Sequence, residues 1–130
     1  MSDGPAIPDD PASKDAYELY QRGLSLLDAD HPAQATVSLE KAKRLEPDKT
    51  SIREALGRAY FRSGRYRNAA TEFSAVIERY PANDYAHFCL GRSFEKLGDR
   101  SAASHHMSLA CGMRPDRTDY QLYRDRLRAA

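Results

Sequence analysis

Between residue 14 and residue 127 the apolar side chains fall into seven segments. The first six are broken off by Pro, Gly or Asp, and each of the seven predicts a helix. The first runs over about 14–28, with Ser13 placed to cap it and Asp15 and Glu18 suiting its positive end. Asp30-His31-Pro32 resets the chain, Pro32 being acceptable in a first helical turn. The second helix, with Val37, Leu39 and Leu45 among its apolar positions, ends before Pro47. Further helices are predicted over 49–62, 66–80, 83–97 and 100–113, with Ser63-Gly64-Arg65 and Gly98-Asp99 as turns. Tyr120, Tyr123 and Leu127 share one face of a last helix over 118–127. No segment predicts a strand.

The segments are not independent. Leu56, Gly57, Tyr60, Gly64, Tyr66, Ala69, Phe73 and Pro81 recur 34 residues later as Leu90, Gly91, Phe94, Gly98, Arg100, Ala103, Met107 and Pro115. They occur 34 residues earlier as Arg22, Gly23, Leu26, Asp30, Pro32, Ala35, Leu39 and Pro47. A fixed period of this length, without insertion, marks a stacked repeat array. Glycine inside a helix costs about 1 kcal/mol relative to alanine. Gly23, Gly57 and Gly91 at one phase therefore imply helices that approach closely there, with Ala35, Ala69 and Ala103 serving the facing helix.

This pattern resembles the tetratricopeptide repeat. The middle unit, 50–83, fits at nearly every signature position. The third, 84–117, has Met107 for the aromatic and Arg100 for the turn tyrosine. The first, 16–49, departs most, with Arg22 for a leucine and Pro32 for the tyrosine. The family's tryptophan position holds Leu19, Arg53 and His87. The resemblance implies an all-α, right-handed solenoid of three antiparallel helix hairpins over residues 14–130, closed by a capping helix over 118–130. Such ends need a polar outer face, and Asp119, Arg124, Asp125, Arg126 and Arg128 would supply one.

Composition narrows the function. A net charge of +1 gives no global field for nucleic acid or an acidic membrane, and no apolar run is long enough to span a bilayer. The acidic, proline-rich residues 1–13 carry little to bury and read as a disordered tail rather than a secretory signal. Cys89 and Cys111 form no CxxC and no disulfide framework, which suits a reducing, cytoplasmic setting. The four histidines are scattered, His105 and His106 point to different helix faces, and Cys89 lies too close in sequence to His87 to share its face. Catalysis, metals and cofactors find no support.

The resemblance also implies a concave groove lined by the first helix of each repeat. Its usual positions here are Tyr17, Tyr20, Leu24 and Leu27, then Ser51, Glu54, Arg58, Phe61 and Arg62, then Tyr85, Phe88, Arg92, Glu95 and Lys96. Aromatics alternating with cations are the types that dominate binding hot spots, and arginine matches a carboxylate. The implied function is a non-catalytic adaptor holding a peptide or helix of a protein partner with acidic and apolar residues. Chaperone-binding members hold a chain-terminal carboxylate with Lys and Asn. Those places are Tyr20, Leu24, Ala55, Tyr85 and Cys89 here, so that clamp is absent. Two alternatives remain open. One is a self-associating module using the imperfect first repeat. The other is a nucleic-acid-associated protein using Arg114, Arg117, Arg124, Arg126 and Arg128, which Asp116, Asp119 and Asp125 dilute.

Overall fold

The computed structural model describes residues 11–129. Seven helices follow one another: α1 (Pro11–Asp28), α2 (Pro32–Leu45), α3 (Thr50–Arg62), α4 (Tyr66–Arg79), α5 (Asp84–Lys96), α6 (Arg100–Met113) and α7 (Thr118–Ala129). There is no strand among the described residues. The first helix starts three residues before the predicted 14, so Ser13 lies buried within its first turn instead of capping it. The tail expected over 1–13 otherwise falls outside the described residues.

The hairpin turns repeat as the sequence does. Asp30, Gly64 and Gly98 hold one repeat position and all have positive φ, at 63°, 80° and 84°. Glycine reaches that conformation without strain, and aspartate is among the few other residues that tolerate it. The residue after each donates its N–H back to the helix, Arg65 to Tyr60 O at 2.8 Å and Asp99 to Phe94 O at 2.9 Å. Asn83 and Asp99 cap α5 and α6 with side-chain oxygens, each 3.0 Å from a backbone N–H.

The helical glycines do something narrower than predicted. A Cβ on Gly57 would stand 2.8 Å from the Phe73 ring, and one on Gly23 would stand 2.5 Å from Leu39 Cγ. The nearest atoms to each glycine's missing Cβ include the large side chain of the paired helix, and at Gly91 also its backbone, with Ala103 O 3.2 Å away. Leu39, Phe73 and Met107 are thereby buried, and they join Leu27, Leu56, Val76, Leu90 and Tyr120 in one continuous core.

The missing tryptophans are replaced by a polar clasp. Arg53 Nε donates to Pro47 O at 2.9 Å. His87 Nε2 lies 2.9 Å from Pro81 O, and Gln121 Nε2 donates to Pro115 O at 2.6 Å. The other end of the clasp crosses to the second helix, where Arg53 meets Glu72 at 3.0 Å and His87 Nδ1 meets His106 Nδ1 at 3.0 Å. A carbonyl only accepts, so His87 must carry its proton on Nε2. Its Nδ1 then accepts from His106.

His106 is pushed down to about 4, first by burial and then by the neighbouring His87 and His105, with Phe94 stacked on its ring. The unfolded chain takes up a proton near 6.5 while the folded chain resists until about 4. The His106 contribution is thus complete above about pH 6.5 and is lost as pH falls toward 4. Urea midpoints of the wild type are expected to drop over that window by more than those of a His106→Phe variant. Parallel curves would show that the pair does not titrate with folding.

Candidate functional site

The first helices of successive hairpins meet directly, α1 with α3 and α3 with α5, and so form the inner lining of the array. Five of the predicted residues come together there, in a cleft of about 120 Å³ between α3 and α5. Arg58, Phe61 and Arg62 line it from α3, and Tyr85 and Arg92 from α5. Phe73 and Cys89 complete the lining. The sequence places Cys89 at a carboxylate-clamp position that lacks the clamp residue, and Phe73 among the repeat's packing residues, so neither counts there as a groove contact.

The cleft has neutral sides and positive corners. Burial pushes the Cys89 thiol up to about 12, so it is no nucleophile at neutral pH. Burial, and next the Cys89 group to which it is hydrogen-bonded, also lift the Tyr85 phenol well above its usual range. Tyr85 packs edge-on to Phe73 at 6.4 Å. The three arginines differ in how they are held. Arg62 donates to Asp30 at 2.8 Å and to Leu27 O at 3.0 Å. The Arg92 guanidinium lies between two rings, 4.6 Å from Phe61 and 4.8 Å from Tyr123. Arg58, half-buried, has no hydrogen bond, ion pair or ring partner among the described residues.

The other predicted residues divide. Tyr17 and Tyr20 line a second cleft of about 180 Å³ between α1 and α3 with Ser51. Leu24 is half-buried against the core. Glu54 accepts from Asn83 Nδ2 at 3.0 Å. Phe88 is buried under the cap, stacked on Tyr120 at 4.6 Å and edge-on to Tyr123 at 5.3 Å. Glu95 accepts from Arg126 at 2.7 Å, and Lys96 stands exposed at the end of α5. The structure therefore brings α7 into the site, through Tyr123 and Arg126. The repeat held a signal for this: Arg58, Arg92 and Arg126 are spaced by 34.

In the C-terminal segment Arg114, Arg117 and Arg124 pair with Asp116, Asp119 and Asp125 at 2.8, 2.7 and 3.2 Å. Those three arginines therefore each carry a neighbouring acid that dilutes the basic segment. The outer edge of the first hairpin has a wider depression, about 720 Å³, lined by Asp15, Glu18, Leu19, Arg22, Lys41, Arg44 and Leu45. It is larger than the cleft, but it is open and its charges are mixed. Among the described residues, no helix is long and apolar enough to cross a membrane.

The tetratricopeptide repeat family model matches residues 20–83 and, one unit further, 54–116. The chain belongs to the tetratricopeptide repeat family. Members of this family share a protein-interaction fold and are generally non-catalytic. No curated protein matches the sequence. Among solved structures, MamA from residue 41 to its end, of Desulfovibrio magneticus RS-1, superposes with a TM-score of 0.85 at 21% identity, over 88% of this chain and 65% of that one. The chain thus spans slightly less than two thirds of that relative. The first tetratricopeptide repeat domain of Spaghetti (RPAP3), bound to the HSP90 peptide SRMEEVD, gives 0.84 at 14% identity, over 89% of this chain and 92% of that one. The Yersinia enterocolitica type III secretion chaperone SycD, in complex with a peptide of the translocator YopD, gives 0.73 at 14%, over 87% and 86%. At these identities the likeness shows the fold alone.

Proposed function

We propose that this tetratricopeptide repeat chain is a non-catalytic adaptor of the cytoplasm that holds a segment of a protein partner in its inner groove. The observation that carries this reading is the α3–α5 cleft. There aromatic side chains and arginines converge on an open space that the core does not need to fill. Peptide complexes of structural neighbours agree with the reading in kind. The HSP90-type tail is not the ligand we propose. The positions that would grip a terminal carboxylate hold Tyr20, Leu24, Ala55, Tyr85 and Cys89, and Ala55 and Cys89 are themselves buried. Two buried free thiols suit a reducing compartment.

Random peptides displayed with blocked C-termini and selected on the intact chain provide the test. A selected peptide, titrated into isotope-labelled protein, is expected to shift backbone signals of α1, α3 and α5 around Arg58, Phe61, Tyr85 and Arg92. Shifts confined to α2, α4 and α6 would move the site to the convex face and overturn the groove assignment.

A further inference from the structure

We infer that Arg58 anchors one Asp or Glu carboxylate within the partner segment, held away from the segment's terminus. This rests on the groove reading above and specifies its ligand.

The inference comes from comparing equivalent positions. Residues 58, 92 and 126 are arginine in successive units, and residues 27, 61 and 95 are the corresponding positions in the first helix of the preceding unit. Arg126 finds Glu95 there, at 2.7 Å. Arg92 finds the face of Phe61, at 4.6 Å. For Arg58 the corresponding residue is Leu27, which is buried and offers neither an acid nor a ring. The same ladder thus satisfies its arginine twice and leaves it unsatisfied once.

That unsatisfied rung lines the cleft. A half-buried guanidinium with no partner is poorly solvated and gains most from an ionised acceptor. Glu54, one turn earlier on the same helix, accepts from Asn83 at 3.0 Å and makes no ion pair with Arg58, and Asp30 pairs with Arg62 at 2.8 Å. Arg92, fixed between its two rings, adds a second positive charge with no acid on it. The free space of about 120 Å³ matches roughly four waters at about 30 Å³ each, room for one anionic head group. A segment that reaches this cleft therefore gains most by placing an acid at one position, with apolar residues beside it for Phe61 and Tyr85.

The peptide selection is repeated in parallel on wild type, Arg58→Gln and Arg79→Gln. The last removes an equal charge from the second helix of the same hairpin, and circular dichroism checks that all three are equally helical. Wild type and Arg79→Gln are expected to enrich Asp or Glu at one position beside apolar residues, and Arg58→Gln to keep the apolar preference and lose the acid. The consensus peptide is then made with Glu, phosphoserine or Gln at that position. Gln is expected to weaken binding to wild type at least about tenfold and to leave Arg58→Gln little changed. Glu is expected to bind at least as tightly as phosphoserine, and clearly tighter binding of phosphoserine would overturn the assignment of a carboxylate. Groove-binding peptides without acid enrichment, or acid enrichment that survives Arg58→Gln, would overturn the inference and leave the groove reading standing. Failure to select any groove-binding peptide would remove both.

Discussion

Phe73→Ala is expected to cost about 3–5 kcal/mol of folding stability. Phe73 is 1% exposed, sits at the centre of the middle repeat and fills the space left by Gly57. Its removal opens a cavity that cannot collapse easily, because α3 and α4 are fixed at both ends by turns and neighbouring hairpins. Each hairpin rests only on its neighbours, so loss in the middle also weakens the contacts above and below. Total stabilities of small domains are about 5–15 kcal/mol, which makes this loss visible as a large fall in the urea midpoint. The converse change tests the pairing itself. Gly57→Ala places a Cβ 2.8 Å from the Phe73 ring, which must shift to admit it, an overpacking worth about 1–3 kcal/mol. In a Phe73→Leu background that penalty is expected to shrink by more than half. A Gly57→Ala penalty equal in both backgrounds would show that the glycine answers to the surrounding backbone, and not to Phe73.

This pair explains why the fold was so legible in the sequence. Gly57 with Phe73, Gly23 with Leu39 and Gly91 with Met107 recur at one spacing because a repeat array solves the same packing problem three times. The helix boundaries followed because Gly64 and Gly98 are required by positive φ. Where the chain used Asp30 the turn was still readable, since aspartate tolerates that conformation. Only the start of α1 was misplaced. Ser13 resembled a cap, but helical residues before it extend the helix to Pro11.

The candidate site was legible in part, for a physical reason. Residue type and repeat position say which side chains face inward, but not whether a neighbour has already taken them. Phe88 faces the inner side of α5, yet α7 crosses it and buries it against Tyr120. Glu95 and Arg126 satisfy each other across 31 residues, and Arg62 turns back to Asp30 across 32. Such pairings depend on which helix follows and how it curves. What remains unclaimed, Arg58 with the cleft beside it, emerges only after those partners are assigned. The scattered histidines show the same limit: His87 and His106 sit 19 residues apart and still meet, because they occupy the clasp positions of one hairpin.

Removing both cations from the equivalent clasp in the middle repeat is the second large effect. Glu72 has a side chain only 3% exposed and is held by Lys43 of α2 at 2.7 Å and Arg53 of α3 at 3.0 Å. Three helices from two hairpins thus converge on one carboxylate, at a place where helix patterning would suggest only solvated charge. The partners are unequal in their dependence. Lys43 and Arg53 are 31% and 24% exposed and can turn toward water, whereas Glu72 has no such escape. Lys43→Met with Arg53→Met therefore strands a buried carboxylate and is expected to cost about 3–5 kcal/mol, measured by urea unfolding. Adding Glu72→Met to that double variant removes the stranded charge. It is expected to recover most of the loss, because an apolar set of similar size avoids the desolvation cost altogether. Equal stability of the double and triple variants would mean that the loss came from missing packing or from the freed Pro47 carbonyl, and that the ion cluster does not govern how the first and second hairpins dock.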